Sequence, residues 1–202
     1  MLYIIRHGQT ENNNKMLMQG RGSDASLNET GKAQAYEAAC RFTGMGVVID
    51  RVYSSPLVRA IQTAERVAPG AVITIDERLI EMDYGPYEGM DLRDPAPEVM
   101  AFFMDFVNVP APEGMEPLPA VTERLGRFLE EIREEAESRN VLISTHAIAM
   151  KGALEYLSPD SHGSYWAKNI GNCDIYAARV VDGEYCVPAL LEDGKDRWEG
   201  SV

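Results

Sequence analysis

The sequence predicts an α/β fold, a three-layer sandwich of helices around a mixed, mostly parallel sheet. Three observations carry this reading. Short apolar runs rich in branched residues alternate with segments of helical spacing. The run at residues 2–5 is apolar throughout and that at 141–145 opens on Val-Leu-Ile, as in strands covered on both faces. The tail carries the hairpin signal Asp182-Gly183, which makes the last strands antiparallel.

Residues 2–5 open the chain as the first strand. Residues 6–27 are rich in Gly, Asn, Gln and Ser without periodicity and are expected to form a long loop, a kind of segment that is usually functional in a compact domain. Asn28 is the expected N-cap of a helix whose inner face carries Ala33, Tyr36 and Cys40 and which ends before Gly44 and Gly46. A second strand over 51–55 stops at Pro56, after which Ile61, Ala64 and Val67 recur at helical spacing. Residues 71–75 supply a third strand. Residues 91–115, with several prolines and an apolar cluster at Phe102, Phe103, Met104 and Phe106, interrupt the alternation. They read as a lid inserted in a single domain spanning 1–202, with the aromatics expected mainly to pack. Val121, Leu125, Phe128, Leu129, Ile132 and Ala136 mark one face of a long amphipathic helix whose other face is charged. The strand at 141–145 leads into a helix running through Leu154 and Leu157. In the tail, 175–181 and 184–191 flank the hairpin turn, and Pro188 places the last strand at an edge.

At 202 residues, 45% apolar and 25% charged, the chain is the size and composition of one globular domain. Its net charge of -13 repels nucleic acid and anionic membranes, so any anionic substrate must be held by a local cluster of arginines. No apolar stretch reaches the ~18 residues of a membrane span, and the N-terminus runs straight into a strand instead of a signal segment. Cys40, Cys173 and Cys186 fit neither a disulfide framework nor a zinc set. They are expected to be small buried hydrophobes in a reducing cytoplasm.

His7 and His146 each stand immediately beyond a predicted buried strand, and Arg6 and Arg59 accompany them. Two arginines and two histidines at one sheet edge make an anion pocket, because guanidinium groups bind phosphoryl oxygens bidentately and a neutral imidazole can attack phosphorus. Transfer of a phosphoryl group also needs an acid for the leaving oxygen. Glu81, opening the Gly- and Pro-rich stretch 81–89, is the candidate. No third histidine or carboxylate completes a zinc motif with His7 or His146, so neither metal nor cofactor is expected. His162 reads as a surface or capping residue, and Asn172 as either a pocket neighbour or a turn residue.

These residues occur in an ordered series: Arg6-His7-Gly8-Gln9-Thr10-Glu11-Asn12-Asn13, Gln19-Gly20, Asp24, Leu27-Asn28-Glu29-Thr30-Gly31, Tyr53-Ser54-Ser55-Pro56-Leu57, Arg59, Glu81, Gly85, Glu88-Gly89 and Ser144-Thr145-His146. The series resembles the histidine phosphatase superfamily, also called the phosphoglycerate mutase-like family, and within it the phosphatase branch. The resemblance implies a mixed α/β sandwich with its site at the C-terminal edge of the strands. It implies that His7 becomes a transient phosphohistidine, that Arg6, Arg59 and His146 hold the phosphoryl group, and that Glu81 donates the proton. Substrate contacts would fall to Asn13, Gln19, Gly20, Tyr84 and the backbone N–H of Ala147. Three departures stand out. Ala147-Ile148 replaces the usual Gly-Gly, Lys151 stands where an arginine is common, and the usual Pro-x-Gly-Glu-Ser turn appears as Pro112-Glu113-Gly114-Met115-Glu116-Pro117.

The expected function is hydrolysis of a small phosphorylated metabolite, with sugar phosphates, nucleotide-like esters such as α-ribazole phosphate and phosphoglycerates all open as substrates. A cofactor-dependent phosphoglycerate mutase and a catalytically inactive binding module on the same fold are the alternatives. Against the mutase, the insertion holds Arg93 as its one basic residue. Its apolar cluster predicts a preference for uncharged or apolar leaving groups over 3-phosphoglycerate.

Overall fold

Strand order follows from how the apolar runs pair. In the computed structural model, which describes residues 1–191, β1 (Leu2–Arg6), β2 (Arg51–Ser54), β3 (Ile73–Ile75) and β4 (Val141–Thr145) are parallel, and β5 (Ile175–Ala178) joins the other side of β1 antiparallel. The main sheet has the order β3-β2-β4-β1-β5-β8, with β8 (Ala189–Leu190) at the edge just after Pro188. It is therefore a mixed sheet of mostly parallel strands flanked by helices, as expected. The tail differs in detail. The expected pair of long strands is divided, so that β6 (Val180–Val181) and β7 (Glu184–Tyr185) form a separate two-stranded hairpin. Its turn residues Asp182 and Gly183 have φ of 53° and 78°, the left-handed pair that a tight hairpin turn requires.

Alternation of side chains along β1 splits the core in two. Leu2 and Ile4 face one layer with Val141 and Ile143, against α5 (Leu118–Ser138) and α6 (Ala147–Leu157). Tyr3 and Ile5 face the other with Val52 and Leu142, against α2 (Glu29–Gly44) and α3 (Val58–Val67). The six apolar positions expected to face inward on α5 are all buried, and each of the five side chains larger than Ala136 contributes roughly 1.5–3 kcal/mol on removal from water, before ordering costs.

On α2 the expected face is out of phase. Gly31, Ala35, Ala38 and Phe42 are buried, whereas Tyr36 is 67% exposed and Cys40 lies at the surface. The cause is at the helix start: Gly31 is pressed against the loop after β1, and a Cβ on it would lie 2.1 Å from the Gln9 carbonyl oxygen. That contact sets the rotation of the whole helix, which then buries the stripe 31, 35, 38, 42. Of the three cysteines only Cys173 is buried, so the expectation for the set holds for one member.

The first loop carries the short α1 (Glu11–Asn14) and bridges from Leu17 to Asp91, and 91–115 itself holds a helix, α4 (Pro97–Met104). Val99 and Phe102 are fully buried in the core shared with α5 and α6.

Candidate active site

Parallel pairing of β1 with β4 places Arg6 opposite Thr145, so the next residues, His7 and His146, leave the sheet side by side. Their ring centroids are 5.2 Å apart. The His7 backbone N–H donates to the Thr145 carbonyl at 2.9 Å, and Asn172 Nδ2 donates to the His7 carbonyl at 2.9 Å. Asn172 is thus a support behind the first histidine.

His7 is 3% exposed and its Nδ1 lies 2.7 Å from the Gly8 carbonyl oxygen. Because a carbonyl only accepts, Nδ1 carries the proton and Nε2 keeps its lone pair. Burial, then Arg59 and Arg6, hold the pKa of His7 well below the ordinary histidine value. His146 has the opposite arrangement. Arg59 Nε donates to its Nδ1 at 3.1 Å, so Nε2 carries the proton and donates to Ser55 Oγ at 2.7 Å. Burial and Arg59 likewise lower its pKa well below 6.5.

Arg59 is completely buried on α3, and its remaining bonds go to the Gly20 carbonyl at 3.0 Å and to the Ser23 carbonyl. Burial brings its pKa down to about 10, against the opposing pull of Glu81, Asp24 and Glu88. Glu88 ties the same loop from outside, accepting from Gly20 N at 3.0 Å and Gly22 N at 3.2 Å. The Gly20 loop is therefore clamped between a guanidinium and a carboxylate. Arg6 donates through one terminal nitrogen to the Ile170 carbonyl at 2.6 Å, and burial lowers its pKa too.

Glu81 is 3% exposed and accepts from three backbone amides: Met82 at 2.9 Å, Ile148 at 3.2 Å and Ala149 at 2.9 Å. Its carboxylate caps the N-terminus of α6, directly after His146. The following segment is braced by Arg124, which bonds the Arg78 and Ile80 carbonyls and both oxygens of Glu116, while Asp83 N donates to Glu116. Glu116 comes from the departing turn 112–117, so that turn retains a structural purpose here.

The sequence-derived site residues converge on one cavity of about 320 Å³. Arg6, His7, Glu81, Ala147, Asn13, Gln19 and Tyr84 all line it. Arg59, His146 and Gly20 are absent from the lining and lie behind it, engaged with one another and with Ser55. Burial among carboxylates pushes the Tyr84 phenol well up, so it stays a neutral donor. The side chains of Arg6 and Gln19 each hold a buried nitrogen, Nε and Nε2, with no hydrogen-bond partner among the described residues. Buried donors of this kind fit an anion that accepts from them.

The insertion aromatics separate by role. Phe102 is core, Phe103 and Phe106 line the cavity, and Met104 is 78% exposed. Arg93 is on the surface, bound to Asp91 at 2.5 Å, and does not reach the cavity. Lys151 of α6 does reach it. A larger cavity of about 780 Å³ lies on the far side of Phe106 and Trp166, where exposed His162 contributes to the wall. Its ionisable lining residues besides His162 are Glu123 and Glu155, which would repel a phosphate, so chemistry outweighs size in choosing the site.

Residues 2–192 match the model of the histidine phosphatase superfamily, branch 1. The chain belongs to this superfamily. It is 29% identical over 188 residues to phosphoserine phosphatase 1 of Hydrogenobacter thermophilus, covering 91% of this chain and 86% of that one. It is 30% identical over 181 residues to a 2,3-bisphosphoglycerate-dependent phosphoglycerate mutase of Parvibaculum lavamentivorans, covering 84% and 85%. Among solved structures, YhfR of Bacillus stearothermophilus matches with a TM-score of 0.80 and 29% identity over 92% of this chain and 94% of that one. A phosphoserine phosphatase of Entamoeba histolytica in complex with 3-phosphoglyceric acid shares the fold at a TM-score of 0.79 and 24% identity, covering 95% and 94%.

For a histidine phosphatase superfamily chain, three contributors had no assigned role in the sequence: Ser55, Glu88 and Arg124. Ser55 and Glu88 stand inside the quoted motifs, but their partners are 91 and 68 residues away along the chain. Arg124 sits on α5 amid other charges and carries no local signal that separates it from them.

Proposed function

We propose that this chain is a phosphatase that hydrolyses a small phosphate monoester through a phosphohistidine on His7. The observation that carries the reading is the His7 ring: buried, neutral, with Nδ1 bound to Gly8 and the Nε2 lone pair left for attack. In the first step Nε2 attacks phosphorus, the ester P–O bond breaks, and Glu81, entering the step as the protonated acid, gives that proton to the leaving oxygen. In the second, water attacks phosphorus, its proton passes to Glu81, the P–N bond breaks and inorganic phosphate leaves. Arg6 neutralises charge on the equatorial oxygens from the cavity wall, while Arg59, fully buried behind it, adds positive charge beside His7 and holds His146 and the Gly20 loop in place.

The supporting cast follows from the geometry. His146, bound between Arg59 and Ser55, orients the guanidinium against the nucleophile. Ala147 N–H, Asn13 and Gln19 complete the anion pocket, and residues 91–115 act as a lid through Leu92, Phe103 and Phe106. This assignment needs no metal, since arginines perform the charge neutralisation. A mutase would have to hold a second phosphate, and Arg93, the one basic residue of the insertion, is occupied by Asp91 at the surface.

Rapid quenching of the purified protein with labelled substrate should trap an acid-labile phosphoryl group. His7→Ala should abolish both label and turnover. Turnover at the wild-type level in that variant would refute the phosphohistidine route.

A further inference from the structure

Lys151 lies on α6, just over one turn beyond His146, and is 9% exposed. Its Nζ donates to the Trp166 carbonyl at 2.7 Å and stands 5.0 Å from the centroid of the Phe106 ring. Among the described residues no carboxylate is within ion-pair distance of it. The acid whose charge it feels is Glu81, and that carboxylate is already held by three backbone amides. One ammonium N–H is used and two remain.

A buried cation without a counter-charge is costly unless something completes it. Lys151 lines the same 320 Å³ cavity as His7, Arg6 and Glu81. On the phosphatase reading Arg6 and His7 serve the phosphoryl group, which leaves Lys151, with Asn169 and Phe106 in the same lining, for what is attached to the phosphate.

We propose that Lys151 binds a carboxylate on the leaving group, so that the preferred esters are phosphates of small hydroxy acids. The proposal rests on the phosphatase reading above and deepens it. A single carboxylate matches a single ammonium, whereas a second phosphate dianion would be left half-neutralised in a chain of net charge -13. The pKa of Lys151, brought down by burial to about 8, still leaves it protonated at neutral pH. The volume suits a three- or four-carbon acid. This revises the preference for uncharged leaving groups expected from the insertion alone: the aromatics are there, but the cation facing them comes from a helix remote in sequence.

The test is a matched pair of esters differing by one carboxylate, O-phosphoserine and O-phosphoethanolamine, with p-nitrophenyl phosphate alongside. The wild type should favour O-phosphoserine, and Lys151→Met should lower the ratio of the two kcat/KM values by about tenfold to a hundredfold, the range for a lost charge-assisted hydrogen bond. Lys151→Arg should restore much of the ratio. Should Lys151→Met fail to fold, Lys151→Gln, which keeps a donor for the Trp166 carbonyl, reads the same ratio. An unchanged ratio in the variants, or a wild type that hydrolyses p-nitrophenyl phosphate but treats the two esters alike, overturns the role of Lys151 while leaving the phosphatase. A wild type inert on all three overturns the phosphatase itself.

Discussion

The Nδ1 atom of His7 lies 2.7 Å from the carbonyl oxygen of Gly8, its neighbour in the chain. This bond decides the tautomer of the His7 ring, and the Arg59 contact decides the opposite one for His146. Nitrogen-15 NMR of the imidazoles should therefore find the proton on Nδ1 in His7 and on Nε2 in His146, with both rings neutral at pH 6. A proton on Nε2 of His7 would remove the lone pair that the mechanism requires.

The same two rings make stability depend on pH. Burial holds both folded-state pKa values well below 6.5, while the unfolded chain takes up protons near 6.5. As pH falls below 6.5 the unfolded state binds more protons than the folded one, so the contribution is fully present above 6.5 and is lost towards the lowered folded values. The slope is roughly 1.4 kcal/mol per pH unit for each histidine. Urea midpoints at pH 7 and pH 5.5 should drop accordingly, and His7→Asn should flatten the dependence. An equally steep fall in the variant would assign it to other groups.

Glu81 should matter most when the leaving group is poor. Glu81→Gln keeps the shape but removes the transferable proton, and kcat on alkyl phosphates should fall ~10²-fold or more. The loss on p-nitrophenyl phosphate, whose leaving group needs little help, should be smaller. Equal losses on both would show that Glu81 only caps α6 through Ile148 and Ala149.

Charge neutralisation by arginine predicts that activity survives chelation. Dialysis against EDTA should leave kcat/KM within about twofold, because no step of the proposed route draws on a Lewis acid. A large loss reversed only by a divalent ion would contradict the mechanism.

Gly31 tests how α2 fixes the site. An added Cβ would meet Gln9 backbone atoms at 2.1 Å and 2.6 Å, and Gly8 presses on Gly31 from the same side. Backbone cannot step aside as a flexible side chain can, so Gly31→Ala should destabilise by about 1–3 kcal/mol. It should also lower turnover, since Gln9 is two residues from His7. Denaturation and kcat measured together check this, and an unaltered urea midpoint would show that the loop yields freely.

Much of this site was legible before any coordinates. His7 and His146 are marked by the strands that precede them, and the α5 face is marked by its period, because both signals come from near neighbours in the chain. What depended on distant partners was not. The rotation of α2 is set by Gln9 against Gly31, a contact between a loop and the first turn of the helix that no periodicity encodes. Phe102 and Phe103 are adjacent, yet one is core and the other faces the cavity, since one helical step of 100° divides inside from site. The sequence by itself determined the α/β class and the place of His7 directly beyond β1 beside Arg6, because a strand that runs into Arg-His is a local statement. Only the tertiary structure decided which nitrogen of His146 is free, that Arg59 lies behind the cavity, and that Lys151 faces into it. Those outcomes belong to hydrogen bonds between residues from 36 to 91 positions apart and to the way α6 packs against the insertion.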